Sequence, residues 1–173
     1  MAIEIRRLTS DDVDIWRELR LEALSHFPEN FLTTHAEEAA RSDAERAEML
    51  GRRRVFFAAV DGVPAGTAAL DPETAAPEAH RVSLNAFYAR PAFHGGGVAQ
   101  ALVDHVIAVA SSEGFLQIEL IVASDNPRAI RFYARNGFVP WGRLPRAVRL
   151  PDRYQDDLYM MRALDGYAAP ADP

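Results

Sequence analysis

A chain of 173 residues with 49% hydrophobic and 25% charged side chains has an ordinary globular composition, long enough for one buried core and without the bias of a disordered or fibrous segment. Its formal net charge of −6 and pI near 5.4 exclude the wholesale phosphate neutralisation on which nucleic-acid binding relies. All 19 basic residues are arginine and cysteine is absent, which excludes Schiff-base and P-loop lysines, disulfides, thiolate nucleophiles and cysteine zinc sites together.

From the N-terminus, Ala2 to Leu8 alternates as a short strand. Thr9 to Asp12 then offers a cap and acidic first-turn residues to a helix from Asp11 to His26, with Leu19, Leu21, Ala23 and Leu24 on its apolar side. No signal-peptide apolar region opens the chain and no run reaches the ~18 apolar residues of a membrane span, so cytoplasmic residence without membrane partners is expected. A second helical stretch, His35 to Leu50, is acidic and weakly apolar and is expected over the surface. Arg54 to Leu70 reads as two strands joined at Asp61-Gly62, a strong hairpin signal, and a longer strand follows from His80 to Ala89.

Between Gly97 and Ser111, Val98, Leu102, Val106 and Val109 recur at helical spacing, with Gly114 as the stop. Phe115 to Ala123 reads as a buried strand. Asn126 caps the next, compact helix, Pro127 takes its first position and Gly137 ends it. A strand near Phe138 to Gly142, a loop containing Pro and Arg, and a strand from Asp156 to Arg162 complete the order β-α-α-β-β-β-α-β-α-β-β. With no long linker and no internal repeat, this order predicts one α/β domain over residues 1–165 with a mixed sheet, and a disordered tail over 166–173.

The run His94-Gly95-Gly96-Gly97-Val98-Ala99 sits where a strand gives way to a helix. An esterase oxyanion loop would need a Gly-x-Ser-x-Gly elbow, which is absent. A dinucleotide fingerprint fails because Gln100 stands where its third glycine or alanine belongs, and a P-loop needs lysine. Two readings remain: a tight turn, or an anion site made by successive backbone N–H groups and the positive end of the helix dipole, suited to a pyrophosphate.

Around this run, FYARPAFHGGGVAQALVDHVI followed by IELIVASDNPRAIRFYARNGF resembles the GNAT superfamily of acetyl-CoA-dependent N-acetyltransferases. The first block is similar to its Arg/Gln-x-x-Gly-x-Gly/Ala signature, the second to its strand-Asn-helix-Tyr-Gly-Phe signature. The match is tight from Phe87 to Phe138, and RYQDDLYMMRAL is similar to the closing strand of many members. The resemblance implies an α/β (α+β) fold: a single domain with a mixed sheet of about seven strands, splayed in the middle and flanked by about four helices. It implies an acyl-CoA-dependent N-acetyltransferase that passes acetyl from acetyl-CoA to a primary amine of a small molecule or peptide, by direct attack in a ternary complex. No metal is implied, and homodimers are common in the family.

Residue by residue, the resemblance places His94, Gly95, Gly96, Gly97, Val98 and Ala99 around the pyrophosphate and the backbone of Phe87, Tyr88 and Ala89 along the pantetheine arm. His94 replaces the family's Arg or Gln, so the amides are expected to carry the phosphate site. Asn126 would meet the pantetheine or thioester region besides capping its helix, although a cap alone also explains it. Tyr133 would be the general acid for the departing thiolate, with a core aromatic as the alternative. The family's usual glutamate is missing, since Ser83 and Asn85 stand near its position. Glu119, alternating away from Ile118 and Leu120, and Glu29 are the candidate bases, and an ordinary solvent-facing glutamate also explains Glu119.

His26, His35, His80 and His105 have no metal-ligand spacing. The stretch Gly51 to Val55 reads as a solvated loop whose arginines are available to the 3′-phosphate of the cofactor. Glu29, Glu37 and Glu38 mildly favour a cationic acceptor. An acyl-CoA-binding sensor without turnover and a longer-chain acyltransferase are the alternatives.

Overall fold

Asp61 and Gly62 take φ of 48° and 84°, and two successive positive-φ residues give a hairpin turn whose twist matches its strands. The turn joins β2 (Arg54–Val60) to β3 (Val63–Pro72), and β1 (Ile3–Arg7) pairs antiparallel with the other edge of β2. In the computed structural model, which describes residues 2–168, the remaining strands are β4 (Arg81–Ala89), β5 (Gln117–Ala123), β6 (Val139–Arg149) and β7 (Tyr154–Ala163). Together they form one mixed seven-stranded sheet in the order β1-β2-β3-β4-β5-β7-β6. β4 and β5 run parallel, with Arg81, Val82 and Ser83 opposite Gln117, Ile118 and Glu119, whereas β5–β7 and β6–β7 are antiparallel. Of the predicted tail, residues 169–173 lie outside the described residues.

Among the described residues five α-helices form where four were expected: α1 (Val13–His26), α2 (His35–Ala40), α3 (Asp43–Arg52), α4 (Val98–Ser112) and α5 (Pro127–Arg135). The acidic stretch read as one helix is two. Ser42 and Glu45 form a reciprocal capping box that ends one helix and starts the next: Ser42 Oγ accepts from Glu45 N at 3.2 Å, and Ser42 N donates to Glu45 Oε2 at 2.6 Å. The Gly51 to Val55 stretch is correspondingly the end of α3 and the start of β2 instead of a loop. β6 also runs on through the expected loop to Arg149. It lies at the sheet edge, where a register shift between Leu144 and Val148 absorbs Pro145 without breaking a central ladder.

The chain divides into two units interleaved in sequence. The first holds residues up to Asp71 with Leu84–Val109, the second Pro72–Ser83 with the chain from Ala110 onward. In the first unit the apolar faces of α1 and the strands bury Trp16, Leu19, Ala23, Val55, Phe57 and Tyr88 in one cluster, against which Phe27, Phe31 and Ala86 pack. β3 passes so close to the end of β4 that a Cβ on Gly66 would lie 2.4 Å from Tyr88 O, so glycine is required there. In the second unit Ile118, Phe138 and Met160 are fully buried. Among the described residues no helix is long and apolar enough to cross a membrane.

Candidate functional site

β4 is not a regular strand. Ala86 takes a φ of +48°, rare for a residue with a side chain, and so stands out as a strained position within an extended run. The strain is braced from β3: the buried Thr67 donates its Oγ1 hydrogen to Ala86 O at 2.9 Å. Beyond Ala86 a polar network ties the strand to α1. Tyr88 Oη donates to Glu22 Oε1 at 2.7 Å, and Arg90 donates to Glu22 Oε2 through Nε at 2.9 Å and Nη2 at 2.7 Å. Arg90 also reaches Glu18 and donates to Pro64 O at 2.7 Å, while its own N–H donates to Ala65 O at 2.8 Å.

Burial, reinforced by the Glu22 carboxylate, pushes the Tyr88 phenol well above its ordinary pKa. Burial alone would raise Glu22 as well, but the hydrogen bonds from Arg90 and Tyr88 outweigh it and hold Glu22 below the usual carboxylate value. At neutral pH the pair is therefore a fixed neutral donor on a fixed anion.

The predicted phosphate turn follows directly. Pro91–Phe93 makes one 3-10 turn, and His94 Nε2 donates back to Ala89 O at 2.9 Å, so this side chain closes the turn onto β4. Gly95 and Gly97 take φ of 80° and 86°, which a side chain would oppose, and Gly96 N donates to Phe93 O at 3.0 Å. The first i→i+4 bond of α4 runs from Ala101 N to Gly97 O at 2.9 Å. The amides of Val98, Ala99 and Gln100 precede it, and Gly97 has no side chain with which to cap them. Val98, Leu102, Val103 and Val106 anchor the helix below. His105 packs edge-on to Phe56 at 4.8 Å, and burial lowers its pKa.

The predicted residues of the second unit lie on α5 and β5. Asn126 Oδ1 accepts from Ala129 N at 3.0 Å, so the cap is present, with Pro127 at the first helical position. Tyr133 is buried edge-on to Phe132 at 5.4 Å and Phe138 at 5.7 Å, and burial pushes its phenol above the ordinary value. Glu119 is engaged: Arg81 Nη1 donates to both its oxygens at 2.8 and 2.9 Å, and Gln117 Nε2 donates at 2.6 Å. The parallel register explains this, because Ser83 faces Glu119 and Arg81 is its diagonal neighbour. This geometry fits a strand-bracing ion pair, not a base awaiting a proton.

Near Ala86, Asn85 Nδ2 donates to Asp71 Oδ2 at 3.0 Å, and Asp71 is paired with Arg53. Burial would raise Asp71, but the Arg53 guanidinium holds it low. Arg53 is thereby committed to Asp71, and Arg52 to Glu48 at 2.7 Å, so these two arginines of the Gly51 to Val55 stretch already have partners. Thr67, Glu22 and Arg90 were not singled out from the sequence. The available signal was Glu18 and Glu22, one helical turn apart on the same face of α1. Among the described residues no three His, Cys, Asp or Glu side chains cluster as metal ligands.

Comparison with known proteins agrees with this architecture. Residues 15–138 match the Acetyltransferase (GNAT) family. An uncharacterized N-acetyltransferase of Mycobacterium tuberculosis is 37% identical over 129 residues, covering 73% of this chain and 79% of its own. One from Methanocaldococcus jannaschii is 29% identical over 136 residues, covering 78% and 59%. Among solved structures, yncA of Salmonella typhimurium, described as an acetyltransferase and determined with its cofactor acetyl-CoA, matches with a TM-score of 0.82 at 22% identity over 98% of both chains. A GCN5-related N-acetyltransferase from Kribbella flavida matches with a TM-score of 0.79 at 26% identity over 94% of this chain and 98% of its own. The chain therefore belongs to the GNAT family, and its class is that of the N-acetyltransferases.

Proposed function

We propose that this protein transfers acetyl from acetyl-CoA to a primary amine, with the glycine turn before α4 as its pyrophosphate site. The observation that carries the reading is the start of α4, where Gly95 and Gly97 hold positive φ and the helix opens behind a glycine that presents no side chain of its own. The family signature adds the backbone of Phe87 to Ala89 as the partner of the pantetheine amides, and the salmonella relative with acetyl-CoA bound supports the choice of cosubstrate.

In the reaction the neutral amine nitrogen attacks the thioester carbonyl carbon. A C–N bond forms, the C–S bond breaks, the nitrogen sheds one proton to water, and coenzyme A leaves as the thiolate. A backbone amide beyond the strained Ala86 holds the oxyanion. Asn126 meets the pantetheine end, a role that rests on the signature. Tyr133 serves the leaving sulfur as a hydrogen-bond donor: its buried phenol lies above an ordinary ~10, whereas a thiol lies near ~8.5, so outright proton transfer runs uphill.

The test is calorimetric titration of acetyl-CoA into wild type and Gly96→Asp, with circular dichroism for folding. Micromolar binding by the wild type and binding weakened by about 100-fold or more in the folded variant are expected, from a carboxylate set against phosphate. Folded proteins that both fail to bind, or that bind alike, overturn the reading.

A further inference from the structure

Arg20 stands apart from the other guanidiniums of the first unit. It follows Trp16 by one helical turn on α1, and its Cζ lies 5.8 Å from the Trp16 ring and 4.8 Å from the Phe31 ring. Among the described residues it has no ion-pair or hydrogen-bond partner. Its neighbours explain why none is available. Glu38, buried at 2%, is taken by Arg46 at 3.2 Å and Arg41 at 3.7 Å, Asp43 by Arg17 and Arg46, and Asp71 by Arg53. Desolvation, opposed by the Glu38 carboxylate and aided by Arg53 and Arg41, pushes the Arg20 pKa down to about 10, which leaves it charged at neutral pH. The second orphan is Trp16 itself, 2% exposed, whose Nε1 is buried with no acceptor. A buried indole N–H and a half-buried cation beside the same ring are two unanswered donors.

This spot and the bend in β4 share one hydrophobic cluster. Ala86 packs against the cluster that contains Trp16, as does Phe31. Arg53, close enough to act on Arg20, binds Asp71, and Asp71 binds Asn85 beside the bend.

We propose that Arg20 receives the carboxylate of the acceptor, so that the substrate is an α-amino acid or a close analogue and not a simple amine or polyamine. This rests on the acetyltransferase reading and specifies its acceptor. One guanidinium whose faces lie over aromatic rings presents its N–H edge, which suits a planar monoanion better than a phosphate dianion. The same rings give apolar walls to the rest of the molecule. The Glu38 carboxylate nearby is hydrogen-bonded by Arg46 and flanked by Arg41, so the Arg20 N–H edge is left to a second carboxylate.

The experiment uses wild type, Arg20→Gln and Arg20→Lys with the twenty L-amino acids and their carboxamides, reading thiol release from acetyl-CoA. For at least one amino acid, kcat/KM is expected to exceed that of its carboxamide by 10-fold or more. Arg20→Gln should erase the preference through KM, and Arg20→Lys should restore part of it. Equal use of carboxylate and carboxamide, an unchanged preference in Arg20→Gln, or thiol release with neither series overturns the proposal, while acetyl-CoA binding still stands or falls on its own titration. If acetyl-CoA does not bind, calorimetry with the amino acids decides separately: carboxylate-selective binding lost in Arg20→Gln supports the Arg20 site, and its absence overturns it.

Discussion

The starts of α4 and α5 solve one problem in opposite ways. Both helices follow a strand and a short turn, and each begins with amides that have no intrahelical acceptor. At α5 the chain answers from within: Asn126 accepts from Ala129 N, and Pro127 removes a donor altogether. α2 and α3 do the same with capping boxes at Thr34 and Ser42. At α4 the residue in that position is glycine, preceded by two more, so no side chain stands at the cap position itself. α1, like α4, starts without a side-chain cap, so what sets α4 apart is its run of three glycines behind a braced strand, which suits an anion.

The contrast is broken most severely from below. Gly66→Ala places a methyl 2.4 Å from Tyr88 O and must push β3 away from the strand that leads into the glycine turn. A loss of about 3 kcal/mol is expected, seen as a fall of about 10 °C in Tm, together with weakened acetyl-CoA binding. Asn126→Ala tests the self-capped end. It should cost about 1 kcal/mol, or about 3 °C, and a rise in KM for acetyl-CoA beyond that stability loss would bear out a second role at the pantetheine. Gly97→Ala sharpens the glycine end, because alanine at φ +86° costs about 1 kcal/mol with only Ile3 Cδ1, 3.7 Å away, near its methyl. Its expected signature is lost cofactor affinity with Tm lowered by only about 3 °C.

The smallest effect concerns pH. Glu22 is held below its ordinary value of 4.5, so its contribution to stability is complete above that value and is lost as pH falls through the lower folded value. Tm measured between pH 6 and about pH 3 should fall less steeply in Glu22→Gln than in wild type. Parallel curves would mean that Glu22 does not brace β4.

Much of this was legible because it is local. Asp61-Gly62, Asn126-Pro127 with Gly137, and the triple glycine each carry their conformation in the residue types themselves. The break in the acidic helix was legible in principle as Ser42-x-x-Glu45, but the acidic run on both sides hid it. What escaped is non-local: Tyr88 and Arg90 meet Glu22 across 66 and 68 residues, and no residue type announces that Ala86 will take a positive φ. Glu119 shows the limit of alternation. The period-2 rule placed its side chain correctly, but the parallel register that puts Arg81 on it cannot be read from β5 alone.

The Arg20 arrangement also furnishes an optical probe. The chain has two tryptophans, and they sit in opposite surroundings: Trp16 is shielded from solvent, whereas Trp141 is 43% exposed on β6. A soluble collisional quencher silences the second and spares the first. The emission that survives then comes from the indole beside Arg20, so an anion settling there would report its own arrival in the unlabelled protein.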